Sequence, residues 1–165
     1  MKFFFRFIRN KHSGLKKIYR SYYWGVLFGS FGSKSRVLGP ITVLNPEKIF
    51  VGENCSINPY CFLNAKSQIV IGDHVHVSPQ AMIHTGGLIY TENMQSRNHF
   101  SKPVIIENGV WIGSGAIITP GVRIGSDSVI GAGAVVTKDI PPRCVAVGVP
   151  ARVIKSHADS EVLYD

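Results

Sequence analysis

Hydrophobic positions recur every six residues over most of this chain. Aliphatic side chains occupy one position of the repeat in two runs, namely Val51, Ile57, Leu63, Ile71, Val77 and Ile83, then Ile106, Ile112, Ile118, Ile124, Ile130 and Val136. A small or compact residue follows four positions later, as Cys61, Ala81 and Ala116 do. An α-helix would repeat every 3.6 residues and a strand every two, so neither fits. A six-residue period is typical of a parallel β-helix.

The repeat predicts an all-β fold, a left-handed parallel β-helix in which about three hexads close one triangular coil. The aliphatic residue fills the interior, and the small residue lets the chain turn a corner. Leu63 and Ile71 are separated by eight positions, so two extra residues must lengthen a turn there. Because coils stack through backbone hydrogen bonds, the two open ends need caps.

Breaks in the period divide the chain into three parts. Residues 1–36 form a basic amphipathic segment that is predicted to be helical in part. Residues 37–140 form the β-helix, with an excursion loop at about 86–103 where the period is lost. Residues 141–165, which begin with Pro141 and Pro142, form an exit segment. Long irregular loops in compact domains are often functional.

Positive charge is concentrated at the amino-terminal end. The 165-residue chain has a formal net charge of +8, and residues 1–36 contribute nine Lys and Arg with no Asp or Glu. Aromatic and aliphatic residues such as Phe3, Ile18 and Tyr22 lie between these cations. Such a segment is expected at an anionic membrane surface or as a helical cap on the β-helix. Nucleic acid is the weaker interpretation, and we expect no such partner.

Cysteine usage is typical of a reducing compartment. Cys55 and Cys61 occupy the small-residue position, where a thiol acts as a compact apolar group, and Cys144 is isolated near the end. An odd number without paired spacing is not a disulfide framework. No apolar run approaches the roughly 18 residues of a spanning helix, and residues 1–8 are too short for a signal peptide. We therefore expect a cytoplasmic protein, with the inner face of the membrane as an alternative.

Three stretches of the second half, with a fourth at 148–154, carry a family resemblance. They are Val110-Trp111-Ile112-Gly113-Ser114-Gly115-Ala116, Pro120-Gly121-Val122-Arg123-Ile124-Gly125 and Val129-Ile130-Gly131-Ala132-Gly133-Ala134-Val135-Val136-Thr137-Lys138-Asp139-Ile140-Pro141. Together they resemble the hexapeptide-repeat acyltransferases, above all galactoside and maltose acetyltransferases and the O-acetyltransferases of bacterial surface polysaccharides. The match is strong over 104–155 and looser over 51–85. It implies a homotrimer with acetyl-CoA in the groove between neighbouring prisms.

The resemblance also implies the cofactor residues. By family position they are Trp111, Ser114, Ala132, Thr137, Lys138, Arg152 and Lys155. Coenzyme A carries a pyrophosphate and a ribose phosphate, which Lys and Arg side chains neutralise well. Taken alone, Trp111 could equally well pack against the loop without binding a cofactor. Taken alone, Lys138 or Arg152 would be interpreted as a solvated surface cation. Their place in the motifs favours acetyl-CoA as the acyl donor.

The catalytic histidine of the sugar acetyltransferases has no counterpart at its usual place. The resemblance puts it at the sixth residue of the hexad that opens the loop, which is Leu88 here. Transfer to a hydroxyl needs a base, and histidine serves well near neutral pH. We take His84, in the same hexad, and His99, near the end of the loop, as catalytic candidates. His76 is a third candidate, and the absence of any histidine base is a fourth possibility.

Asn58 matches by count a family asparagine that faces the acceptor, although an asparagine turning a corner is an equal alternative. The leading hypothesis is an acetyl-CoA-dependent O-acetyltransferase acting on a hydroxyl of a sugar or surface-polysaccharide precursor. The alternatives are N-acetylation of a nucleotide-linked amino sugar, whose neutral amine needs less help from a base, and a non-catalytic trimeric scaffold. A zinc carbonic anhydrase shares the fold, but the histidines do not match its motif, so we predict no metal.

Overall fold

The structure is a computed structural model in which residues 15, 17–89 and 98–156 are described. Helix α1 covers residues 17–27, and a turn of 3-10 helix occurs at Pro46–Lys48. The strands are β1 (Ser30–Phe31), β2 (Arg36–Val37), β3 (Thr42–Leu44), β4 (Ile49–Val51), β5 (Ser56–Ile57), β6 (Phe62–Asn64), β7 (Ile69–Ile71), β8 (His76–Val77), β9 (Met82–His84), β10 (Gly86–Leu88), β11 (His99–Ser101), β12 (Val104–Ile106), β13 (Trp111–Ile112), β14 (Ile117–Ile118), β15 (Arg123–Ile124), β16 (Val129–Ile130), β17 (Val135–Val136), β18 (Cys144–Val147) and β19 (Arg152–Ser156).

In the described part of the chain, all strands except β10 and β11 form the three faces of a prism. Face A contains β1, β4, β7, β12 and β15; face B contains β2, β5, β8, β13, β16, β18 and β19; face C contains β3, β6, β9, β14 and β17. Up to β17 the chain visits the faces in the order A, B, C, and neighbouring strands of a face are parallel except for β18 and β19. The crossover that parallel pairing requires is supplied by the other two faces of each coil.

The predicted core is confirmed. All twelve aliphatic residues of the six-residue repeat are at most 2% exposed. The small residues are buried beside them, except that Ser67 is half-buried and Gly87 belongs to the hairpin formed by β10 and β11. Burying a Val, Leu or Ile side chain contributes about 1.5–3 kcal/mol relative to leaving it exposed, so this column is the main source of stability.

Coils differ in length before and after the excursion. Val37, Ile57 and Val77 are register partners spaced 20 residues apart, whereas Ile112 and Ile130 are spaced 18 apart. In both coils the two extra residues lie at the corner from face C to face A, between β3 and β4 in the first and between β6 and β7 in the second. The buried hydroxyl of Thr85 forms hydrogen bonds with backbone groups at the longer corner between β6 and β7. Its Oγ1 accepts from the Ser67 N–H at 2.8 Å and donates to the Asn64 carbonyl at 3.0 Å.

Corner residues adopt left-handed backbone angles and stack from coil to coil. At the corner from A to B, φ is 54–70° for Lys34, Asn54, His74, Gly109, Asp127 and Arg143. At the corner from B to C, φ is 64–67° for Tyr60, Gln80, Gly115 and Gly133. Apart from Lys34 in the first coil, the N–H of each of these corner residues reaches the preceding coil, as from His74 to the Glu53 carbonyl at 2.8 Å. These bonds offset the strain of about 1–2 kcal/mol that a left-handed residue with a side chain carries.

Helix α1 caps the amino-terminal end of the prism. Phe28, directly after the helix, is buried and stacks on Trp24 with ring centroids 5.6 Å apart. The N–H of Val37, on the edge strand β2, donates to Ser21 Oγ at 3.0 Å. An uncovered edge would leave such donors open to pairing with another chain. Residues 17–28 of the basic segment therefore act as a cap on the β-helix. Residues 1–14 and 16 lie outside the described residues.

An antiparallel pair of strands lies at the carboxy-terminal end of the prism, and a second one lies at the base of the excursion. Strands β18 and β19 fold back on face B, and β10 pairs with β11 so that Leu88 lies opposite His99. Residues 90–97 of the predicted excursion loop lie outside the described residues. The division of the chain at residues 36 and 140 stays a prediction.

All three cysteines are buried and free. Burial raises the pKa of the Cys61 thiol to about 11 and also raises the pKa of Cys55. Because the thiolate is the reactive form, these two side chains serve as inert packing groups at neutral pH. Among the described residues, no helix combines the length and apolar character needed to cross a membrane.

Candidate active site

The outward-facing residues of face B form one continuous row across its strands. In register order they are Arg36, Ser56, His76, Trp111, Val129, Val145 and Lys155. Neighbours in such a row are about 4.8 Å apart. The row therefore connects a candidate histidine with two predicted cofactor residues, Trp111 next to it and Lys155 four strands away.

His76 is held by polar side chains from the preceding coil. Its Nδ1 lies 2.5 Å from Ser56 Oγ, and its Nε2 lies 3.3 Å from Asn58 Nδ2. Asn58 in turn donates from Nδ2 to the Val77 carbonyl at 2.9 Å. The predicted substrate-binding residue Asn58 thus contacts a histidine that had been only the third candidate for the base.

Trp111 completes this cluster on its other side. The indole is 44% exposed, and its Nε1 donates to Ser78 Oγ at 2.9 Å. The rings of His76 and Trp111 meet edge to face, with centroids 6.2 Å apart and an interplanar angle of 83°. The bond to buried Ser78 fixes the indole upright against the histidine, so its outer face stays open to a ligand.

His84 lies elsewhere on the prism. It ends β9 on face C, pairs in register with Asn64, and its ring packs against Phe62 with centroids 5.4 Å apart. The side chain is half-buried, and desolvation lowers its pKa below the ordinary 6.5. A neutral imidazole fits a base, but this one is on a different face from Asn58 and Trp111.

His99 is exposed on β11, at the foot of the excursion and opposite Leu88. Its role as a catalytic candidate stays a prediction, as does that of His84. In the described part of the chain, no three His, Cys, Asp or Glu side chains are grouped closely enough to hold a metal ion.

Five of the seven predicted cofactor residues lie on face B or at its corner with face C. Ser114 and Ala132 are exposed at this corner in successive coils, where Gly133 N–H donates to the Ser114 carbonyl at 2.9 Å. Arg152 and Lys155 are exposed on β19, beside Val147 and Val145 of β18. Together with Trp111 they line one side of the prism.

Thr137 and Lys138 are separate from this group. Both are exposed and follow β17, at the corner between faces C and A. A single prism therefore does not bring all seven predicted cofactor residues to one ligand.

The corner between faces B and C suits an extended ligand. A Cβ added to Gly115 or Gly133 would meet no atom within 4 Å, so a strip of backbone beside Ser114 and Ala132 is clear of side chains. The strip lies between Trp111 and the cations of β19. A thin, flexible arm along the backbone with phosphates at the cations is the shape of coenzyme A, so the residues present fit this group.

Sequence reasoning missed Ser56 and Ser78. Each lies beside a core position, Ser56 before Ile57 and Ser78 after Val77, so the repeat alone marks both as coil residues. The available signal was the 20-residue coil length. Ser56 and His76 are one coil apart and therefore must be neighbours on the same face.

The stacked coils of six-residue repeats, the open backbone strip and the flanking cations fit a β-helical acyltransferase, and comparisons with known proteins show that class. The family model for the bacterial transferase hexapeptide (six repeats) matches residues 103–138. Galactoside O-acetyltransferase of Escherichia coli (strain K12) is 39% identical over 139 residues, covering 84% of this chain and 68% of the relative.

Two solved structures extend the comparison. A maltose O-acetyltransferase from Clostridium difficile 630 is 45% identical, with a TM-score of 0.75 over 81% of this chain and 72% of the other. A hexapeptide-repeat acetyltransferase from Vibrio cholerae, solved with acetyl-CoA, is 35% identical, with a TM-score of 0.77 over 81% and 73%. The chain belongs to the hexapeptide-repeat acetyltransferases, and both the predicted left-handed β-helix and the predicted family are confirmed.

The lowered pKa of His84 predicts a pH-dependent stability. The unfolded chain binds a proton near pH 6.5, whereas the folded chain binds it only at lower pH. Between these two values the unfolded state holds more protons, so the free energy of unfolding falls as the pH drops below 6.5. In urea unfolding, His84→Asn should lose less stability than the wild type between about pH 7.5 and about pH 5.5.

His99→Asn, which changes an exposed side chain, is the matched control and should keep the wild-type dependence. An identical pH dependence in wild type and His84→Asn would contradict the burial effect.

Proposed function

We propose that the protein transfers an acetyl group from acetyl-CoA to a hydroxyl of a sugar or surface-polysaccharide precursor. The observation that carries this proposal is the row on face B. It joins His76, which contacts Asn58, with Trp111 on the next strand and with the cation Lys155 on the fourth strand from the histidine. The relatives named above are a galactoside and a maltose O-acetyltransferase, which supports a sugar as the acceptor.

The two requirements of the reaction, a base for the acceptor and a site for the acyl donor, are met at different places on this side of the prism. The acceptor hydroxyl needs a base, and the polar cluster of Ser56, His76 and Asn58 offers one. The acyl donor needs a site for its thioester close to that base and a site for its phosphates further away. The strip at Gly115 and Gly133 lies between the two, with Arg152 and Lys155 at its far end.

Acetyl-CoA should bind the wild type saturably, with one site per chain in calorimetric titration. Lys155→Ala and Arg152→Ala should each weaken binding about 10- to 100-fold, because a charge-assisted hydrogen bond contributes about 1.5–3 kcal/mol. Lys48→Ala is the control. It removes an exposed cation at the end of the 3-10 turn that precedes β4, and it should leave the affinity for acetyl-CoA unchanged.

Thiol release with maltose and with an amino sugar then identifies the acceptor atom. Faster turnover of the amino sugar would favour N-acetylation. Absence of acetyl-CoA binding would contradict the enzyme proposal and favour the scaffold.

We also infer a homotrimer whose cofactor site spans two prisms. The support is the separation of the cofactor residues, with Thr137 and Lys138 on a different corner from Trp111 and Ser114. If a neighbour supplies the second group, one ligand contacts both.

Sedimentation should give three times the 18.1 kDa chain mass. Trp111→Ala and Lys138→Ala proteins should each be weakly active, and trimers reassembled from a mixture should regain activity, because some sites then combine two unmutated halves. Activity equal to the mean of the two variants would contradict a shared site.

A further proposal concerns location, in the cytoplasm at the inner face of the membrane. The outer side of α1 exposes Ile18, Tyr19, Tyr22 and Val26, and Lys17 is exposed beside them. Aromatic and aliphatic groups flanked by cations suit anionic lipid.

Vesicles containing phosphatidylglycerol should bind the protein, and the exposed-face variant Tyr19→Ser/Tyr22→Ser should bind less. Val43→Ala on β3, which truncates a partly buried side chain packed against the core, controls for general destabilisation. Equal binding to neutral and anionic vesicles, or none to either, would contradict this location.

A further inference from the structure

We propose that His76 is the general base of the acetyl transfer and that Ser56 is its positioning residue. This inference rests on the proposed function, since it names the group that takes the acceptor's proton. It departs from the sequence prediction, which put His84 and His99 first.

The hydrogen bonds determine which ring nitrogen carries the proton. The Val77 carbonyl can only accept, so the atom of Asn58 that faces it at 2.9 Å is the amide nitrogen. That same nitrogen is 3.3 Å from His76 Nε2. Because an amide nitrogen can only donate, Nε2 must accept with its lone pair and cannot carry a proton. The proton of the neutral ring is then on Nδ1, where Ser56 Oγ accepts it.

This tautomer is the one that a base needs. Ser56 holds Nδ1–H, and the basic Nε2 faces the side chain of Asn58. An acceptor hydroxyl that approaches Asn58 can donate to Nε2 in place of the long amide contact. Asn58, which family position independently predicts to contact the acceptor, would then lie beside the reacting oxygen.

The position of His76 also agrees with the donor site. Trp111 is its register partner on β13, and Ser114 and Gly115 begin the open strip directly after that strand. Acetyl-CoA bound along this strip would begin on the coil adjacent to His76 and would extend towards the cations of β19. Ser56, Asn58, His76 and Trp111 all come from the faces of one chain, on regular coils.

His84 lacks this arrangement. Its ring packs on Phe62. In the described part of the chain, no side chain forms a hydrogen bond with either of its ring nitrogens. Its register partner on face C is Asn64, which does not belong to the row of Trp111.

The step balances without any further reactant. The acceptor oxygen attacks the thioester carbonyl carbon, a C–O bond forms, and the C–S bond breaks. The hydroxyl proton passes to His76 Nε2 and then to the departing sulfur, which leaves as the thiol of coenzyme A. The Nδ1 proton remains on the hydrogen bond to Ser56, so the ring returns to its starting tautomer.

The kinetic test uses the full-length protein with acetyl-CoA and, as acceptor probes, maltose and methyl β-D-galactopyranoside. His76→Ala should lower kcat about 10²- to 10⁴-fold, the usual effect of removing a general base, with little change in calorimetric acetyl-CoA binding. His84→Ala and His99→Ala are the matched controls and should retain activity. Because His76 is exposed, its replacement should not unfold the protein.

The second readout does not need an acceptor. Long-range ¹H–¹⁵N spectra, recorded well above the ordinary histidine pKa of about 6.5, should show the Nδ1–H tautomer for the signal that His76→Asn removes. Ser56→Ala should lose this tautomer preference and lower kcat about tenfold, as expected for one hydrogen bond. A merely structural serine would leave the tautomer unchanged.

Two results would overturn the assignment. One is an Nε2–H tautomer in the wild type, and the other is loss of turnover in His84→Ala or His99→Ala with retention in His76→Ala. If the wild type acetylates neither sugar, the proposed acceptor class fails, and the spectrum alone then decides the assignment of His76.

Discussion

Every feature of this protein depends on the requirement that each coil return the chain to the same register as the coil before it. The corner residues enforce this, because from the second coil onwards the left-handed residues at the A–B and B–C corners donate their N–H to the preceding coil, as His74 and Gly115 do. Once the corners are fixed, residues one coil apart become neighbours. The sequence is thereby converted into columns, and each column has one environment.

Interior and exterior columns then serve different purposes. The aliphatic column is buried throughout and supplies the hydrophobic free energy, so it tolerates little variation in size. The exterior column of face B lies outside the core, and its members change from Ser56 to His76 to Trp111 between successive strands. Such a fold can alter its chemistry without disturbing its core, because adjacent residues in the chain belong to different columns.

The sequence predicted the interior far better than the site. A six-residue period specifies which residues are buried, and all twelve predicted aliphatic positions are. Asn58, Trp111 and Lys155 were chosen by family position, and the structure puts all three on one side of the prism. The contact of Asn58 with His76 was not foreseen, because it depends on the 20-residue coil length, which the eight-residue step from Leu63 to Ile71 sets.

A base on face B has a physical consequence that a base on the excursion would not have. Leu88 and His99 lie on a two-stranded hairpin that is not paired with any face of the prism, whereas His76 lies on a strand paired on both sides above a filled core. Its distance from Trp111 is set by the spacing of strands, about 4.8 Å. Regular elements hold reacting groups more accurately than loops do. With a leucine at the loop position, a histidine already fixed by Ser56 and Asn58 needs no loop movement to become a base.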